Sequence, residues 1–441
     1  MRHLALEEPN LMAGRKKMSE RNLWIAAGLR TPFTKVDGAL AGRDAISMSV
    51  PVAQAMAESL GDDTPDLFVW GAVAPNLTYS NIAREIWLDA GLAPHVPSFS
   101  TVMACSTSMA AALEAAGQLG SGGRQLALVG GVESMSRVQL GLTQGLSDWL
   151  RRLAQARSPE DRLKRLTDIS LREVGLYIPS VKNRVTNKSM GEHCEEMAKE
   201  WDIAREDQDK IAYDSHMNAV RARNEGFFDD LIITVDGVSQ DAFPRETTTL
   251  EKLAKLRPAF DRDSGRGTLT AGNSSPLTDG AAGLWVADDA GIDRLPSSLP
   301  RVKLLDWEFG SVDIHTEGLL MAPGYALPRM LARNELRYED IDLFEIHEAF
   351  AAQVLCNIAA FNSKSFLTEK AGVDFDLGEF PLERINPNGG SVSIGHPFGA
   401  TGARILSQAA KELAAMPSGT RAVVSICADG GLGTVALLEA P

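Results

Sequence analysis

Short apolar runs alternate with segments of helical spacing along most of the chain. Apolar runs that predict buried strands lie at 22–27, 67–74, 125–129, 227–235, 302–308, 341–346 and 422–426, with a strand–turn–strand unit over 268–286. Residues with helical spacing lie at 48–60, 81–90, 106–119, 189–202, 205–225, 324–334, 351–361 and 402–416. A short apolar run is typical of a buried strand, and helical spacing of apolar residues is typical of a helix. The alternation of the two patterns predicts an α/β fold.

One order of features occurs twice in the chain. Cys105 is followed by a helix of small residues, a glycine-containing break, an apolar strand and a predicted backbone turn at Gly130-Gly131. His396 is followed by the same order of elements, which ends at Gly430-Gly431. This similarity predicts two copies of one βαβ unit. Such a repeat would bring the starts of two equivalent helices together, with Cys105 and His396 on them.

Composition and charge narrow the class of protein. The chain of 441 residues has a formal net charge of −14, which argues against a nucleic-acid-binding protein that works by bulk attraction. No apolar run approaches the roughly 20 residues of a membrane-spanning helix. Four cysteines in so long a chain do not make a disulfide framework, and no Cys or His cluster has zinc-site spacing. We therefore expect a reduced, cytoplasmic protein without a bound metal.

Two segments differ from the rest in character. Residues 1–21 are polar and lack the apolar core of a secretory signal, so we expect a disordered extension, with Met18 as an alternative start. The segment 139–188 carries ten basic and five acidic side chains, and its leucines and Trp149 recur at helical spacing over 146–166. An amphipathic basic helix can lie on a membrane or a partner protein, and it can equally be a solvated cover over an active site.

Candidate chemistry is concentrated on four side chains beside predicted turns. Cys105 at a helix start would have its thiolate favoured by the helix dipole, and His396 could take its proton. Cys427 follows an apolar strand and could act as a second acid and base. His347 could polarise a carbonyl oxygen or hold a water, and the glycine turns leave room for an oxyanion.

Each candidate also has a purely structural interpretation. Free cysteines are commonly buried and inert, and a histidine at a strand end can simply be hydrogen-bonded. Cys194 and Cys356 fall within predicted helices without a paired partner, so we interpret both as structural. The sequence contains neither GxGxxG nor GxxxxGK[ST], so a nucleotide-binding interpretation has no motif behind it.

Four separate stretches resemble the thiolase family. They are Cys105 with its helix and the motif at 130–136, the motif at 270–275 with Asp279-Gly280-Ala281, His347-Glu348-Ala349-Phe350, and Gly395-His396-Pro397 with Cys427. Among members of the family, the sequence looks most like the trifunctional-protein beta subunit and bacterial fatty-acid-oxidation 3-ketoacyl-CoA thiolases. The resemblance implies a five-layer αβαβα fold of two pseudo-repeated α/β/α halves with an inserted loop domain. The first half would span 22–138 and 266–290, the inserted domain 139–265 and the second half 291–441.

The resemblance also implies a role for each candidate. Cys105 would be the nucleophile that takes the acyl group as a thioester, and His396 would activate it and contribute to an oxyanion hole. Cys427 would be the acid and base for the acetyl-CoA carbanion and for the incoming CoA thiol. His347 would position an oxygen in a first oxyanion hole, and the backbone N–H groups of Cys105 and Asp429 would serve a second.

Coenzyme A would be a co-substrate, with no permanently bound cofactor. Arg245 falls where the family has an arginine near the nucleotide, although a surface arginine is the alternative. The positions that match the family's pantetheine channel are Ser275, Met190, Ala349 and Phe350.

Asp429 departs from the family pattern. The family often has Cys-x-Gly-Gly-Gly after the second cysteine, and this chain has Cys427-Ala428-Asp429-Gly430-Gly431. The backbone N–H of Asp429 would still be available to an oxyanion, but its carboxylate would oppose a developing anion unless it points away. Ser189 also stands where many members have histidine.

The function that the resemblance implies is that of an acetyl-CoA C-acyltransferase, which cleaves 3-ketoacyl-CoA with CoA in fatty-acid β-oxidation. The same residues would serve Claisen condensation of two acetyl-CoA molecules. A non-catalytic acyl-CoA-binding subunit and a ketoacyl synthase are weaker alternatives, because both histidines and both cysteines of the motifs are present. We expect a homodimer or tetramer, with a hydratase/dehydrogenase alpha subunit as a candidate partner. Acyl chain length stays open.

Overall fold

The computed structural model describes residues 22–168, 170, 174–177, 179 and 181–441. The extension predicted for 1–21, with its alternative start at Met18, lies outside the described residues. Within this described part, no helix combines the length and the apolar character needed to cross a membrane.

Strands and helices alternate along the chain as predicted, and each helix expected from residue spacing is present. The strands are β1 (Leu23–Ala26), β2 (Thr34–Lys35), β3 (Leu67–Ala72), β4 (Ser98–Phe99), β5 (Leu126–Glu133), β6 (Gly141–Leu142), β7 (Leu176–Tyr177), β8 (Thr278–Asp288), β9 (Arg301–Ser311), β10 (Leu343–Ile346), β11 (Arg421–Ala428) and β12 (Leu432–Glu439). The helices are α1 (Ala45–Glu58), α2 (Ile82–Asp89), α3 (Thr107–Gln118), α4 (Gln144–Ala154), α5 (Pro159–Thr167), α6 (Met190–Glu200), α7 (Arg205–Asn224), α8 (Leu250–Ala254), α9 (Asp289–Ile292), α10 (Ala322–Arg333), α11 (Ala351–Asn362), α12 (Ser391–Ile394) and α13 (Thr401–Ala414).

The large sheet consists of two halves with the same pattern of pairing. Its order is β10-β11-β12-β9-β1-β8-β5-β3-β4, with β2 beside β8. In the first half β3 runs parallel to β5, and β5, β8 and β1 then pair antiparallel. In the second half β10 runs parallel to β11, and β11, β12 and β9 pair antiparallel. The predicted internal repeat is therefore confirmed, and the antiparallel pair β1–β9 joins its two copies.

Helices and sheet halves form five layers. Helices α1 and α2 cover the outer face of the first half, and α10 covers the outer face of the second half and packs on α11. Helices α3 and α13 lie between the halves and pack on each other. The central core combines Met109 of α3, Leu406 of α13, and Val129 and Val424 from the two halves. Burial of these apolar side chains is the main force that holds the layers together.

The starts of α3 and α13 approach each other closely. The backbone N–H of Ala403 donates to the Ser108 hydroxyl at 2.8 Å, in the interior of the protein. A Cβ atom on Gly402 would lie 2.3 Å from the backbone nitrogen of Met109. Only a residue without a side chain fits here, and this contact sets the distance between the two helix starts.

The glycine pair at Gly130-Gly131 is not a turn, as the pattern had predicted. Both residues lie inside β5, which continues to Glu133. A Cβ on Gly130 would meet the Trp70 ring at 2.3 Å, and one on Gly131 would meet the Gly399 carbonyl oxygen at 2.0 Å. The glycines are needed for close packing against neighbouring elements, which a sequence pattern cannot distinguish from a turn.

Two predicted strands are wrong. Residues 227–235 form turns in which Phe228 and Leu231 are buried, and the segment pairs through single bridges such as Arg30–Ile232. In the unit predicted over 268–286, only β8 is a strand. The Asn273 side chain accepts the Thr270 N–H at 2.7 Å, and such side-chain bonding competes with strand pairing.

The basic segment over 146–166 forms two helices rather than one. Ser158 caps α5 by accepting the Asp161 N–H at 3.1 Å, and Pro159 at the first helical position favours a new start. The Trp149 indole donates to the Arg165 carbonyl at 2.8 Å and ties α5 back to α4. Neither helix has a buried residue among those described. The hairpin of α4 and α5 therefore stands on the surface.

We predict that Gly402→Ala destabilises the protein and lowers its activity. The added methyl group would meet backbone, which has no side-chain freedom to move away, so we expect a loss of about 1–3 kcal/mol in the free energy of unfolding. Gly117→Ala is the matched control, because a Cβ there meets nothing within 4 Å and Gly117 lies in α3. It should stabilise the protein by up to about 1 kcal/mol. Denaturant unfolding that gave the same change for both variants would contradict this.

Candidate active site

Cys105 lies in a strained turn at the start of α3. A 3₁₀ turn over Ala104–Ser106 leads into the helix, and Ala104 has a φ of +45°, which is uncommon for a residue with a side chain. The Thr107 hydroxyl donates to the Ala104 carbonyl at 2.8 Å and accepts the Met103 N–H at 2.9 Å. Thr107 thereby holds the turn that carries the thiol.

The thiol of Cys105 is protonated in the free protein. Burial and the nearby Asp429 carboxylate raise its pKa to about 12, although the backbone N–H groups of Asp429 and Cys105 act in the opposite direction. The N–H groups at the helix start favour the thiolate, as expected, but loss of solvation outweighs them in the free protein. A nucleophile in this state needs a base beside it.

His396 is oriented to act as that base. Its backbone N–H donates to the Thr278 hydroxyl at 2.9 Å, and its Nδ1 lies 2.6 Å from the Thr401 hydroxyl oxygen. The Thr401 hydroxyl donates its one proton to the Pro397 carbonyl at 2.9 Å. Nδ1 of His396 must then be the donor to Thr401, which leaves Nε2 with a free lone pair. Burial, with Arg404 nearby, lowers the pKa of His396 to about 3, so the ring is neutral.

His347 has the opposite arrangement of protons. Its Nδ1 lies 2.8 Å from the Ser391 hydroxyl, and Ser391 accepts a hydrogen bond from Arg404 at 2.8 Å. The Ser391 proton is free to go to Nδ1, which favours a proton on Nε2 of His347. Burial, with His396 and Arg404 as neighbours, holds the pKa of His347 well below its usual range. His347 is thus suited to donate a hydrogen bond to a substrate oxygen.

The side chains of Cys105, His347 and His396 converge on one point. One ligand-type atom of each lies within 4.8 Å of the others, and the two imidazole centroids are 4.2 Å apart. Nε2 of both histidines is buried and has no hydrogen-bond partner within the protein. Unpartnered buried nitrogens are costly, so a bound group is expected to complete them. A Cys–His–His set at this spacing would also accept a zinc ion.

Cys427 joins this group from the second half. It lies near the end of β11, opposite Gly433 of β12, and its side chain is buried. Burial and the proximity of Cys105 raise the pKa of Cys427 well above its ordinary value. It is therefore a neutral thiol that can donate a proton. Cys194 and Cys356 are buried within α6 and α11, where sequence reasoning expected structural cysteines.

Asp429 has two different contacts with its surroundings. Its backbone N–H bonds to the Cys105 thiol. Its carboxylate accepts the Asn183 side-chain amide at 2.8 Å and the Gly430 N–H at 2.6 Å. The N–H groups of Cys105 and Asp429 thus meet at the sulfur, where an oxyanion would form on a bound acyl group.

Arg404 is the charged group behind both histidines. It is buried, and burial lowers its pKa to about 10, while Glu345 acts in the opposite direction. Burial raises the pKa of Glu412 to about 7 and that of Glu345 well above its usual range. The Gln408 amide contacts both carboxyl groups at 3.3 Å. Arg404 donates to the Gln408 side-chain oxygen at 3.4 Å and to the Ser391 hydroxyl at 2.8 Å, so Gln408 links it to the two carboxyl groups.

A cavity of about 200 Å³ contains one of the predicted CoA-binding residues. Arg245 and Lys252 line it with their positive charges, and Ser274 and Pro276 line it from the motif at 270–275 and the residue that follows it. Cations beside small polar groups suit a phosphate-bearing ligand.

The remaining predicted residues lie in different environments. The Ser275 hydroxyl donates a hydrogen bond to the Ala349 carbonyl at 2.9 Å. Ser274 and Pro276 line the cavity, and Ser275 does not. Ala349 and Phe350 are buried, and Phe350 meets the Phe260 ring edge-on. Met190 begins α6 and packs against the same core.

Sequence reasoning missed several residues that shape the site. His216 lines the cavity, is buried, and has an unpartnered Nδ1; burial and Arg245 lower its pKa to about 4. Ser391, Arg404 and Asn183 come from other segments and bear no local signal. Thr401 alone was within reach, because it lies five residues after His396, where a helix begins.

The comparison with protein families covers almost the whole described chain. Residues 23–290 match the family model for the thiolase N-terminal domain, and residues 300–440 match that for the thiolase C-terminal domain. The 3-ketoacyl-CoA thiolase of Yersinia enterocolitica is 36% identical over 423 residues, which are 94% of this chain and 96% of the relative. The protein of that name from Photobacterium profundum is 37% identical over 425 residues, with the same coverage of both chains.

Solved structures agree with the sequence relatives. An acetyl-CoA acetyltransferase from Bacillus anthracis has a TM-score of 0.77 and 29% identity, over 96% of this chain and 99% of its own. A thiolase from Ascaris suum in complex with coenzyme A has a TM-score of 0.75 and 26% identity, over 96% of this chain and 100% of its own. With two repeated halves, a cysteine–histidine centre between them and matches over both domains, the chain belongs to the thiolase family of acyltransferases.

Proposed function

We propose that the protein catalyses the CoA-dependent thiolysis of 3-ketoacyl-CoA, in the degradative direction. The observation that carries this is the convergence of Cys105 with two histidines whose Nε2 atoms have opposite roles. An acceptor nitrogen and a donor nitrogen beside one thiol are what attack on a ketone carbonyl requires. The names of the sequence relatives support the substrate class.

In the first half of the reaction, the acyl group moves to Cys105. Nε2 of His396 takes the thiol proton, and the sulfur attacks C3 of the substrate. The N–H groups of Cys105 and Asp429 hold the C3 oxyanion, and His347 donates to the thioester oxygen. As the C2–C3 bond breaks, Cys427 protonates the acetyl-CoA carbanion. The products are acetyl-CoA, an acylated Cys105, a protonated His396 and a Cys427 thiolate.

In the second half, CoA removes the acyl group. The Cys427 thiolate takes the proton from the CoA thiol, and the CoA sulfur attacks the acyl carbonyl. The Cys105 sulfur leaves and recovers its proton from His396. Each group returns to its starting protonation state, so no permanently bound cofactor is needed. The reverse Claisen condensation uses the same steps, but the names of the relatives favour cleavage.

The CoA phosphates would occupy the cavity beside Arg245. Arg245 and Lys252 supply positive charge there, and neutral His216 supplies a buried nitrogen without a partner. A non-catalytic binding subunit is disfavoured, because a protein that only binds acyl-CoA has no need of a base, a donor and two thiols in one place.

We also propose a cytoplasmic homodimer or tetramer, for which size-exclusion chromatography with light scattering is the test of the oligomeric state.

The proposal predicts thiolysis by the purified protein. Loss of the enolate absorbance of 3-ketoacyl-CoA is followed on addition of CoA, with substrates from short to long chains. Cys105→Ala should lower the rate by more than about 1,000-fold, since removal of a nucleophile leaves only binding and oxyanion stabilisation. Folded wild-type protein without activity at any chain length would contradict the proposed function.

The same assay tests the CoA cavity. Arg245→Ala should raise the KM for CoA several-fold with little change in kcat, because it removes binding that is equal in the ground and transition states. Arg266→Ala is the control, since Arg266 is exposed and does not line the cavity. Equal effects of the two substitutions would exclude the cavity as the CoA site.

The hairpin of α4 and α5 is proposed as a contact with anionic membrane surfaces. Leu163 and Leu166 are 67% and 50% exposed, and Arg162, Lys164 and Arg165 accompany them on α5. Exposed leucines beside basic side chains suit the interface of an anionic bilayer. An acidic face of a hydratase/dehydrogenase alpha subunit is the competing partner.

We predict that the protein floats with vesicles that contain anionic lipid and not with neutral ones. Leu163→Glu should reduce this binding at least several-fold, because it places a negative charge in the apolar contact. Leu382→Glu, a substitution of a 48% exposed leucine elsewhere, is the control. If the protein does not float with anionic vesicles, the membrane contact is contradicted. Co-purification of an alpha subunit that depends on the hairpin would then identify that protein as the partner.

A further inference from the structure

The catalytic turn is linked to the inserted segment by one hydrogen bond between side chains. The Asn183 amide nitrogen donates to Oδ1 of Asp429 at 2.8 Å, across 246 positions of sequence. Asn183 belongs to the segment inserted between the strands of the first half, and Asp429 follows β11 in the second half. The bond therefore connects the inserted segment directly to the turn that follows β11.

Asn183 is fixed so that it can only donate to Asp429. Its side-chain oxygen accepts the backbone N–H groups of Val185 and Thr186 at 2.9 and 3.2 Å. Its own backbone closes the turn, since the Asn183 N–H donates to the Lys188 carbonyl at 2.9 Å. Asn183 is also buried, with a 6% exposed surface. Its amide nitrogen thus presents a donor that is held by a preformed turn.

Asp429 is the residue whose charge matters most to the nucleophile after burial itself. Its backbone N–H bonds to the Cys105 sulfur, while its carboxylate raises the pKa of that thiol. One residue thus stabilises an anion with its backbone and opposes it with its side chain. The hydrogen bonds from the Asn183 amide and the Gly430 N–H hold the Asp429 carboxylate against the turn at 429–430. Without Asn183, rotation about the side-chain bonds would be less restricted.

Few other charged groups act on this carboxylate among the described residues. The Asp429 carboxylate acts to raise the pKa of His193 in α6, but burial is the larger effect and lowers that pKa. His193 is held through Thr186, at 2.7 Å, by the same turn that contains Asn183. Within the described part of the chain, no ion pair joins Asp429 to a Lys or Arg side chain. Asn183 is therefore the main side-chain restraint on the Asp429 carboxylate.

We propose that Asn183 is a positioning residue that keeps the Asp429 carboxylate away from the oxyanion formed at Cys105. The inserted segment thereby controls how well the Asp429 N–H stabilises the reacting acyl group. Movement of the 183–188 turn would release the carboxylate and slow acylation. This inference rests on the thiolysis proposed above, and it assigns to Asn183 the restraint of a carboxylate at a position where the family commonly has glycine.

The test is a kinetic double-mutant cycle on the full-length protein with Asn183→Ala, Asp429→Asn and the double variant. Asn183→Ala should lower kcat for thiolysis by about 10-fold or more, with a smaller change in the KM for CoA. It should also move the pH profile of acylation to higher pH, because the freed carboxylate makes thiol ionisation harder. In the Asp429→Asn background, Asn183→Ala should have an effect of less than about 2-fold.

Controls separate this inference from structural damage and from failure of the proposed function. Arg184→Ala changes an exposed side chain of the same turn and should leave kcat within about 2-fold. If Asn183→Ala does not fold, Asn183→Ser replaces it in the cycle, because its hydroxyl oxygen can still accept the N–H groups of the turn but it lacks the amide donor to Asp429. An equal loss on Asn183→Ala with and without the Asp429 carboxylate would overturn the inference, as would an unchanged kcat. Inactive wild-type protein would instead overturn the proposed thiolysis.

Discussion

The close approach of α3 and α13 is the constraint on which the rest of the structure depends. Because Gly402 has no side chain, the backbone of Met109 can occupy the space that a Cβ atom would take. The hydrogen bond from the Ala403 N–H to the Ser108 hydroxyl fixes this contact. Because the two helices are equivalent elements of the two halves, their starts meet at the centre of the molecule. The nucleophile on one turn and the base on the other are therefore brought together by the internal repeat, with no separate active-site domain.

The site between the helix starts is built from neutral groups. Burial raises the pKa of both cysteines and lowers the pKa of both histidines, so a thiolate–imidazolium pair is unfavourable in the free protein. Charge appears when a substrate carbonyl supplies an oxygen to the waiting N–H groups, which act in a poorly solvated site. This arrangement limits the reactivity of Cys105 toward other electrophiles. The hydroxyls of Thr401 and Ser391 assign each histidine its part, one as acceptor and the other as donor.

Much of the fold and the centre of the site followed from local sequence signals. Helical spacing and apolar runs located the helices, and the repeated order around Cys105 and His396 predicted that the two meet. The strand predicted for 227–235 was wrong because buried apolar side chains also occur in turns. The turn predicted at Gly130-Gly131 was wrong because the packing of Gly130 against Trp70 leaves no sequence pattern. Asn183, Ser391 and Arg404 lay beyond reach because their roles arise from contacts between distant segments. How far burial outweighs the helix-start N–H groups at Cys105 could not be predicted, because a sequence does not give burial.

The most direct test of the account is to locate the acyl group. The protein is mixed with a 3-ketoacyl-CoA without free CoA, quenched in acid, and analysed by intact mass and by peptide mapping. We expect one acyl group of the substrate's length less two carbons, attached to Cys105, with an equal amount of acetyl-CoA released. Acylation at Cys427 instead, or acetyl-CoA release without a protein adduct on any peptide, would contradict the assignment of Cys105 as the nucleophile.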